Sequence, residues 1–293
     1  MDSIAFLGLG TMGGPMAGHL VKAGFRLTAY NRSAGRAQAW QSLHAAPLAT
    51  TPAEAATQAQ WLITCVGRDA DLEEVLLGSQ GAVHGLQPGS TVIDHSTVSA
   101  DLAERLAATL ADRGIHFLDA PVSGGQVGAE RGQLSIMVGG PQDIFARAQP
   151  LLRVYGKTVE RIGATGSGQR AKMVNQICIA GILQSLAEAL NFAQQAELDI
   201  EAVLKVITQG AAASWQMQNR SASMIQGFYD HGFAVDWMRK DLGLCLEEAQ
   251  RLRAPLPITA LIDQFYADVQ NLGGGRWDTS SLLARLQTLR KTS

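Results

Sequence analysis

At 293 residues the chain exceeds the size at which one hydrophobic core usually keeps growing, so two domains are expected. An apolar share of 46% beside 17% charged residues excludes a disordered chain. A formal net charge of −2, with no Lys/Arg block, leaves no electrostatic footprint for nucleic acid or an anionic membrane surface.

The opening MDSIAFLGLG has no basic segment ahead of its apolar run and no small-residue cleavage site after it, so it reads as a first strand rather than a signal peptide. Further β-rich runs follow: RLTAY, WLITCV, STVIDHS, IHFLDA, LSIMVGG and TVERI. Several are nearly continuous in apolar residues, as strands buried on both faces should be. Helical patterns lie between them with recognisable starts. Thr51-Pro52-Ala53-Glu54 is a capping box with proline at the first helical position, and Ser99 stands ahead of a long amphipathic stretch. Strand and helix in alternation predict a mostly parallel sheet with right-handed crossovers. After Gly163 the pattern becomes helical: Gln169 to Glu197, Ile200 to Thr208, Met238 to Leu252, Ile258 to Asn271 and Ser280 to Leu289. The expected division is residues 1–163 and 164–293, joined at the glycine-rich turn GATGSG. Met173 to Leu190 is the most apolar stretch, but its polar interruptions suit a buried helix better than a lipid-facing span. Its length and uniformity point to packing against a second copy of the chain, as a homodimer or homotetramer. Cys65, Cys178 and Cys245 are odd in number, far apart and set in apolar surroundings; they are expected to be small buried hydrophobes in a cytoplasmic protein.

Between the first strand and its following helix, GLGTMGG places Gly8, Gly10 and Gly13 with Thr11 and Met12. Gly8 permits the tight turn, Gly10 lets a pyrophosphate approach the backbone, and Gly13 allows helix and strand to pack closely, with the helix N–H groups facing the phosphates. The expected class is therefore α/β, an N-terminal Rossmann-type, mostly parallel sheet followed by an all-α C-terminal domain. The second strand ends in Tyr30-Asn31-Arg32-Ser33, without the acid that normally takes the ribose 2′-hydroxyl. Arg32 suits a 2′-phosphate, and Asn31 and Ser33 can hydrogen-bond it without repulsion, so NADP is preferred with NAD possible. Alternatively, Asn31 and Ser33 cap the next helix and Arg32 is solvated. Cys65 and Val66 end a parallel strand, where ligands gather, and are expected to flank the cofactor through their backbone.

Four ordered motifs, GLGTMGGPMAGHL, DAPVSGG at 119–125, GSGQRAKMVNQ at 166–176 and RKDLGL at 239–244, resemble those of the β-hydroxyacid dehydrogenase family across essentially the whole chain. The resemblance implies reversible oxidation of a small 3-hydroxy acid to its semialdehyde. The family includes 3-hydroxyisobutyrate dehydrogenase, tartronate semialdehyde reductase and glyoxylate/succinic semialdehyde reductases. It implies Lys172 as proton carrier, a role that needs a donor at the carbonyl oxygen. Asn175 or Gln176, both within one turn of Lys172, orients the reactants. Many relatives carry asparagine four residues after the lysine, where this chain has Gln176. Ser123, Gly124 and Gly125 offer backbone N–H groups and a hydroxyl to a carboxylate. By the same resemblance Lys240 reaches cofactor and substrate, and Thr97 touches the cofactor. Trp215, Phe233 and Trp237 are candidates for the substrate wall or for helix packing. The six histidines show no metal-ligand spacing, so no metal is expected, and His95 is not favoured as a base. An imine reductase-like enzyme and a catalytically silent dinucleotide-binding module are the alternatives; a lysine at position 172 argues against both.

Overall fold

The computed structural model describes residues 3–291. It contains two compact units, the first ending at Lys172 and the second beginning at Met173. The first unit runs β1 (Ser3–Leu7), α1 (Gly13–Lys22), β2 (Arg26–Tyr30), α2 (Ala34–Gln41), α3 (Pro52–Ala56), β3 (Trp61–Thr64), α4 (Asp69–Leu77), β4 (Thr91–Asp94), α5 (Ala100–Ala111) and β5 (His116–Asp119). It continues through β6 (Val122–Ser123), α6 (Gly125–Glu130), β7 (Leu134–Gly139), α7 (Gln142–Leu152) and β8 (Gly156–Gly163).

Among the described residues these strands form one sheet in the order β2-β1-β3-β4-β5-β7-β6, with β8 on β7. Pairing is parallel from β2 to β5 and between β7 and β8. The β7 strand is antiparallel to β5 and β6. The two-residue β6 is too short to leave a periodic signal, which is why sequence reading passes over it. Successive side chains take opposite faces. Ile4 and Phe6 join Met16 and Leu20 of α1, whereas Ala5 and Leu7 join Leu102 and Leu106 of α5. Each such large side chain contributes about 1.5–3 kcal/mol on burial. Because the chain leaves β1 for β2 on one side and then for β3 on the other, strand order reverses beside the carboxyl end of β1, where α/β sheets bind ligands.

Local starts follow the sequence with one shift. Thr51 Oγ1 accepts from Glu54 N at 3.1 Å, and Ser99 Oγ accepts from Leu102 N at 3.1 Å. The Glu54 carboxylate, however, reaches the N–H and hydroxyl of Thr50, one residue earlier than a reciprocal box requires.

The helix α8 (Ser167–Gln195) begins in the first unit and continues into the second, which adds α9 (Ile200–Ile207), α10 (Trp215–Gln226), α11 (Val235–Leu252), α12 (Pro257–Asn271) and α13 (Leu282–Lys291). Ala180, Leu183, Ala187 and Leu190 form the inward stripe of α8 and meet Met224, Leu242, Ile262 and Tyr266 in one cluster. By length and composition α8 is long and apolar enough to cross a membrane, but 44% of its apolar window is buried within the protein as core. Its opposite stripe, Val174, Cys178 and Ile182 at successive i+4 positions, is exposed. This corrects the expectation that all three cysteines are buried. Cys245 is buried and Cys65 half-buried, but the apolar context of Cys178 marks a helix face that its own chain leaves open. The α10 helix has no counterpart in the sequence reading. Its WQMQNRSASMIQ is mostly polar, and it is held by the Ser214 cap on Met217 N, by inward Met217, Ser221 and Met224, and by Gly227 at φ 68° closing it. Arg239 grips Asp263 through two bonds of 3.0 Å and Gln270 at 2.6 Å, bracing α11 on α12.

Candidate active site

The glycines after β1 have separate physical reasons. Gly8 has φ +103°, and a Cβ there would lie 2.2 Å from the Cys65 carbonyl oxygen. A Cβ on Gly13 would lie 1.9 Å from the Gly8 carbonyl oxygen. Gly10 differs: a Cβ on it meets nothing within 4 Å, and its φ is not positive. Neither strain nor crowding keeps position 10 bare, and open space over the backbone is what a pyrophosphate needs. At the N-cap of α1, Met12 supplies no side-chain hydrogen bond to the first-turn amides, and Thr11 is exposed. These residues fit a dinucleotide.

Asn31 does not cap α2. Its Oδ1 accepts from Leu9 N at 2.9 Å, so the residue that follows β2 braces the glycine loop from the side, and its Nδ2 donates to Ser33 O. Ser33 is the α2 N-cap without a side-chain bond. Arg32 is 83% exposed and pairs with Asp71 of α4 at 2.8 Å. Cys65 N donates to Leu7 O, and Val66 N donates to Ser96 Oγ, fixing the ends of β3 beside those of β1 and the loop after β4.

Below that loop lies a buried polar group that sequence reading did not single out. Asp94 Oδ1 accepts from Thr64 Oγ1 at 2.6 Å and Ser96 N at 3.1 Å, while Oδ2 has no hydrogen-bond partner among the described residues. Burial pushes its carboxyl up to about 7, against the lowering effect of these bonds and with a raising contribution from Asp119. The folded chain thus holds a proton that an unfolded aspartate releases near 3.8. The stability this contributes is complete below that pH and is lost as pH rises to about 7. Asp94→Asn is expected to remove the dependence, raising stability over the parent at pH 8 by up to on the order of 4 kcal/mol and leaving pH 4 little changed. Paired thermal melts across that range check it. His95, also buried, sits 2.6 Å from Ala120 O and 2.8 Å from the Tyr155 hydroxyl, and burial pushes it down to about 4. It is a neutral strut of the sheet.

Lys172 is 8% exposed and lies on the second turn of α8. The start of that helix is clamped by Asp119, the first residue of DAPVSGG, whose two oxygens accept from Gly166 N at 2.8 Å and Gln169 N at 2.9 Å. Burial nonetheless pushes the Asp119 carboxyl up to about 6. Two of the sequence motifs therefore meet through hydrogen bonds. Ser123 ends β6 half-buried, and Gly124 and Gly125 follow exposed at φ 125° and 61°, values that glycine tolerates.

In the second unit Asn175 Nδ2 donates to Gln176 Oε1 at 2.8 Å, and Gln176 Nε2 donates to Asp241 Oδ2 at 2.6 Å. Lys240 Nζ lies 3.0 Å from Asp241 Oδ1 and 5.9 Å from the Trp237 ring. Gln176 and the predicted second lysine thus share one buried carboxylate, and Asn175 is joined to it through Gln176. Asp241 was legible only as the middle letter of KDL. Trp215 is 56% exposed with Arg220 over its ring, and Phe233 is exposed. Among the described residues no cluster of His, Cys, Asp and Glu is arranged to hold a metal.

Residues 3–163 match the family model described as the NAD binding domain of 6-phosphogluconate dehydrogenase. Residues 166–286 match the model described as NAD-binding of NADP-dependent 3-hydroxyisobutyrate dehydrogenase. An uncharacterized oxidoreductase of Shewanella frigidimarina is 53% identical over 99% of this chain and 100% of its own. The 2-hydroxy-3-oxopropionate reductase of Escherichia coli is 36% identical over 98% and 97%. The crystal structure of a 3-hydroxyisobutyrate dehydrogenase from Salmonella typhimurium superposes with a TM-score of 0.86 at 31% identity, covering 97% of this chain and 99% of that one. With both units, the glycine loop and the lysine-bearing helix in place, the chain belongs to the β-hydroxyacid dehydrogenase family and is an NAD(P)-dependent oxidoreductase of the 3-hydroxyisobutyrate dehydrogenase type.

Proposed function

We propose that this protein is an NADP(H)-preferring enzyme that interconverts a small 3-hydroxy acid and its semialdehyde, with Lys172 as the proton carrier. The observation that carries the reading is a lysine buried to 8% exposure at a helix start clamped by a buried carboxylate. Bound at the glycine loop, the nicotinamide cofactor supplies or accepts the hydride. Lys172 gives its proton to the carbonyl oxygen during reduction and takes it back during oxidation. Ser123, Gly124 and Gly125 hold the substrate carboxylate through the serine hydroxyl and glycine N–H groups. Gln176, with Asn175 hydrogen-bonded to it, orients the reacting oxygen, and Asp241 holds Gln176 and Lys240 in place. Thr97, Cys65 and Val66 border the cofactor. Exposed Val174, Ile182 and Phe192 on α8 support assembly as a homodimer or homotetramer.

The preference for the 2′-phosphate rests on Arg32, exposed at the end of β2 with no acid in the neighbouring Asn31 and Ser33. Cofactor oxidation with glyoxylate, succinic semialdehyde, tartronate semialdehyde and methylmalonate semialdehyde tests the whole reading. At least one aldehyde is expected to be reduced, with NADPH favoured over NADH. Arg32→Ala is expected to weaken NADPH by about tenfold and leave NADH little changed, since one charge-assisted contact is lost. No turnover of any of the four with either cofactor defeats the assignment.

A further inference from the structure

Gln169 is fully buried, and both ends of its side-chain amide are used. Its Nε2 donates to Ser96 O at 2.9 Å, and its Oε1 accepts from Val98 N at 3.2 Å. These two bonds bracket Thr97. Ser96 is itself fixed, its N–H on Asp94 Oδ1 and its hydroxyl under Val66 N. From its own backbone Gln169 donates to Asp119 Oδ2 at 2.9 Å. Lys172 follows three residues later, on the neighbouring position of the same helix face.

We propose that Gln169 is a positioning residue, setting the loop that carries Thr97 against the helix turn that carries Lys172. The inference rests on the reading of Lys172 as proton carrier and Thr97 as a cofactor neighbour. An amide serves both backbone groups because one end accepts while the other donates, which neither an ionised carboxylate nor an apolar side chain can do. Glutamate would set a carboxylate against the Ser96 carbonyl, and leucine would leave a buried N–H and a buried C=O unpaired. The reaction is sensitive to such a shift, since a general acid works only within hydrogen-bond reach and a misplacement of about 1 Å can cost about a hundredfold.

The test uses the full chain as Gln169→Leu and Gln169→Glu, with two readouts. The first is amide hydrogen exchange over residues 96–98 and 167–172 without cofactor, where Gln169→Leu is expected to exchange at least about tenfold faster in both segments. The second is steady-state reduction of glyoxylate, or of whichever of the four aldehydes is reduced fastest. There kcat is expected to fall about 30–100-fold in the leucine variant, with both Michaelis constants within about threefold of the parent. The glutamate variant adds a pH arm, because its protonated acid restores the donor to Ser96. Its turnover relative to the parent is expected to recover as pH falls. Asp94 at the end of β4, Asp119 at the end of β5, the Glu104–Arg170 pair and Lys172 are the titratable and charged groups around it and are common to both proteins. Unchanged exchange, or faster exchange with unchanged kcat, overturns the inference while leaving the proton-carrier reading intact. Turnover retained by Lys172→Ala overturns that reading and this inference with it. Should the leucine variant fail to fold, the nearly isosteric glutamate variant decides alone, and a flat activity ratio across pH counts against the proposal.

Discussion

Lys172→Ala is expected to lower aldehyde reduction by about 10²–10⁴-fold, the range over which positioned acid–base groups act. The loss should appear in kcat and kcat/KM together, because the proton is delivered only as the oxygen gains charge. Dinucleotide affinity should stay near that of the parent, since the glycine loop and Asn31 brace lie on other segments. Lys172→Arg sharpens the test. It keeps the positive charge, yet a guanidinium does not give up its proton in this range, so turnover should remain low. Stopped-flow reduction at saturating NADPH, with thermal melts to verify folding, checks both variants. A folded alanine variant turning over at the parental rate would refute the role.

Gly10→Ala and Gly13→Ala are expected to fail in different ways. The alanine methyl at position 13 would sit 1.9 Å from the Gly8 carbonyl oxygen, so helix and strand must part, at a cost of about 3 kcal/mol or more. A drop in melting temperature and loss of dinucleotide binding should come together. At position 10 the added methyl meets no protein atom within 4 Å and needs no unusual φ. That variant should fold with parental stability or gain about 0.4–1 kcal/mol from a stiffer unfolded chain. Its cofactor affinity should nevertheless fall at least about tenfold, because the methyl occupies the approach of the pyrophosphate. Fluorescence titration with NADPH beside thermal melts separates the two. If the Gly10 variant binds as tightly as the parent, the phosphates do not lie over that residue.

The α/β organisation and most element positions were legible because strands buried on two faces leave continuous apolar runs, and caps such as Thr51 and Ser99 mark where helices begin. What escaped depended on tertiary partners. The polar α10 is a helix because Met217 and Met224 find a core, which no local pattern in WQMQNRSASMIQ announces. The apolar surroundings of Cys178 looked like interior but belong to an exposed stripe. The motifs point to Lys172, Gln176 and Lys240, whereas Asp119, Gln169 and Asp241 stand in the same motifs without an evident role and Asp94 stands outside them. Their significance lies in hydrogen bonds to groups 2 to 73 residues away. Asn31 is not the cap of the next helix; that its Oδ1 braces the glycine loop depends on a partner 22 residues away.

That last feature separates two design problems that adjoin in the chain. Asn31 turns inward to support the backbone, while Arg32 and Ser33 are exposed, so on the proposed reading of the cofactor site coenzyme engineering has two surface letters to rewrite without disturbing the scaffold. The arginine's counterion on α4 becomes part of the same edit. An acid introduced at position 32 to court NADH would face Asp71 as a like charge, and a productive conversion must recode both positions together.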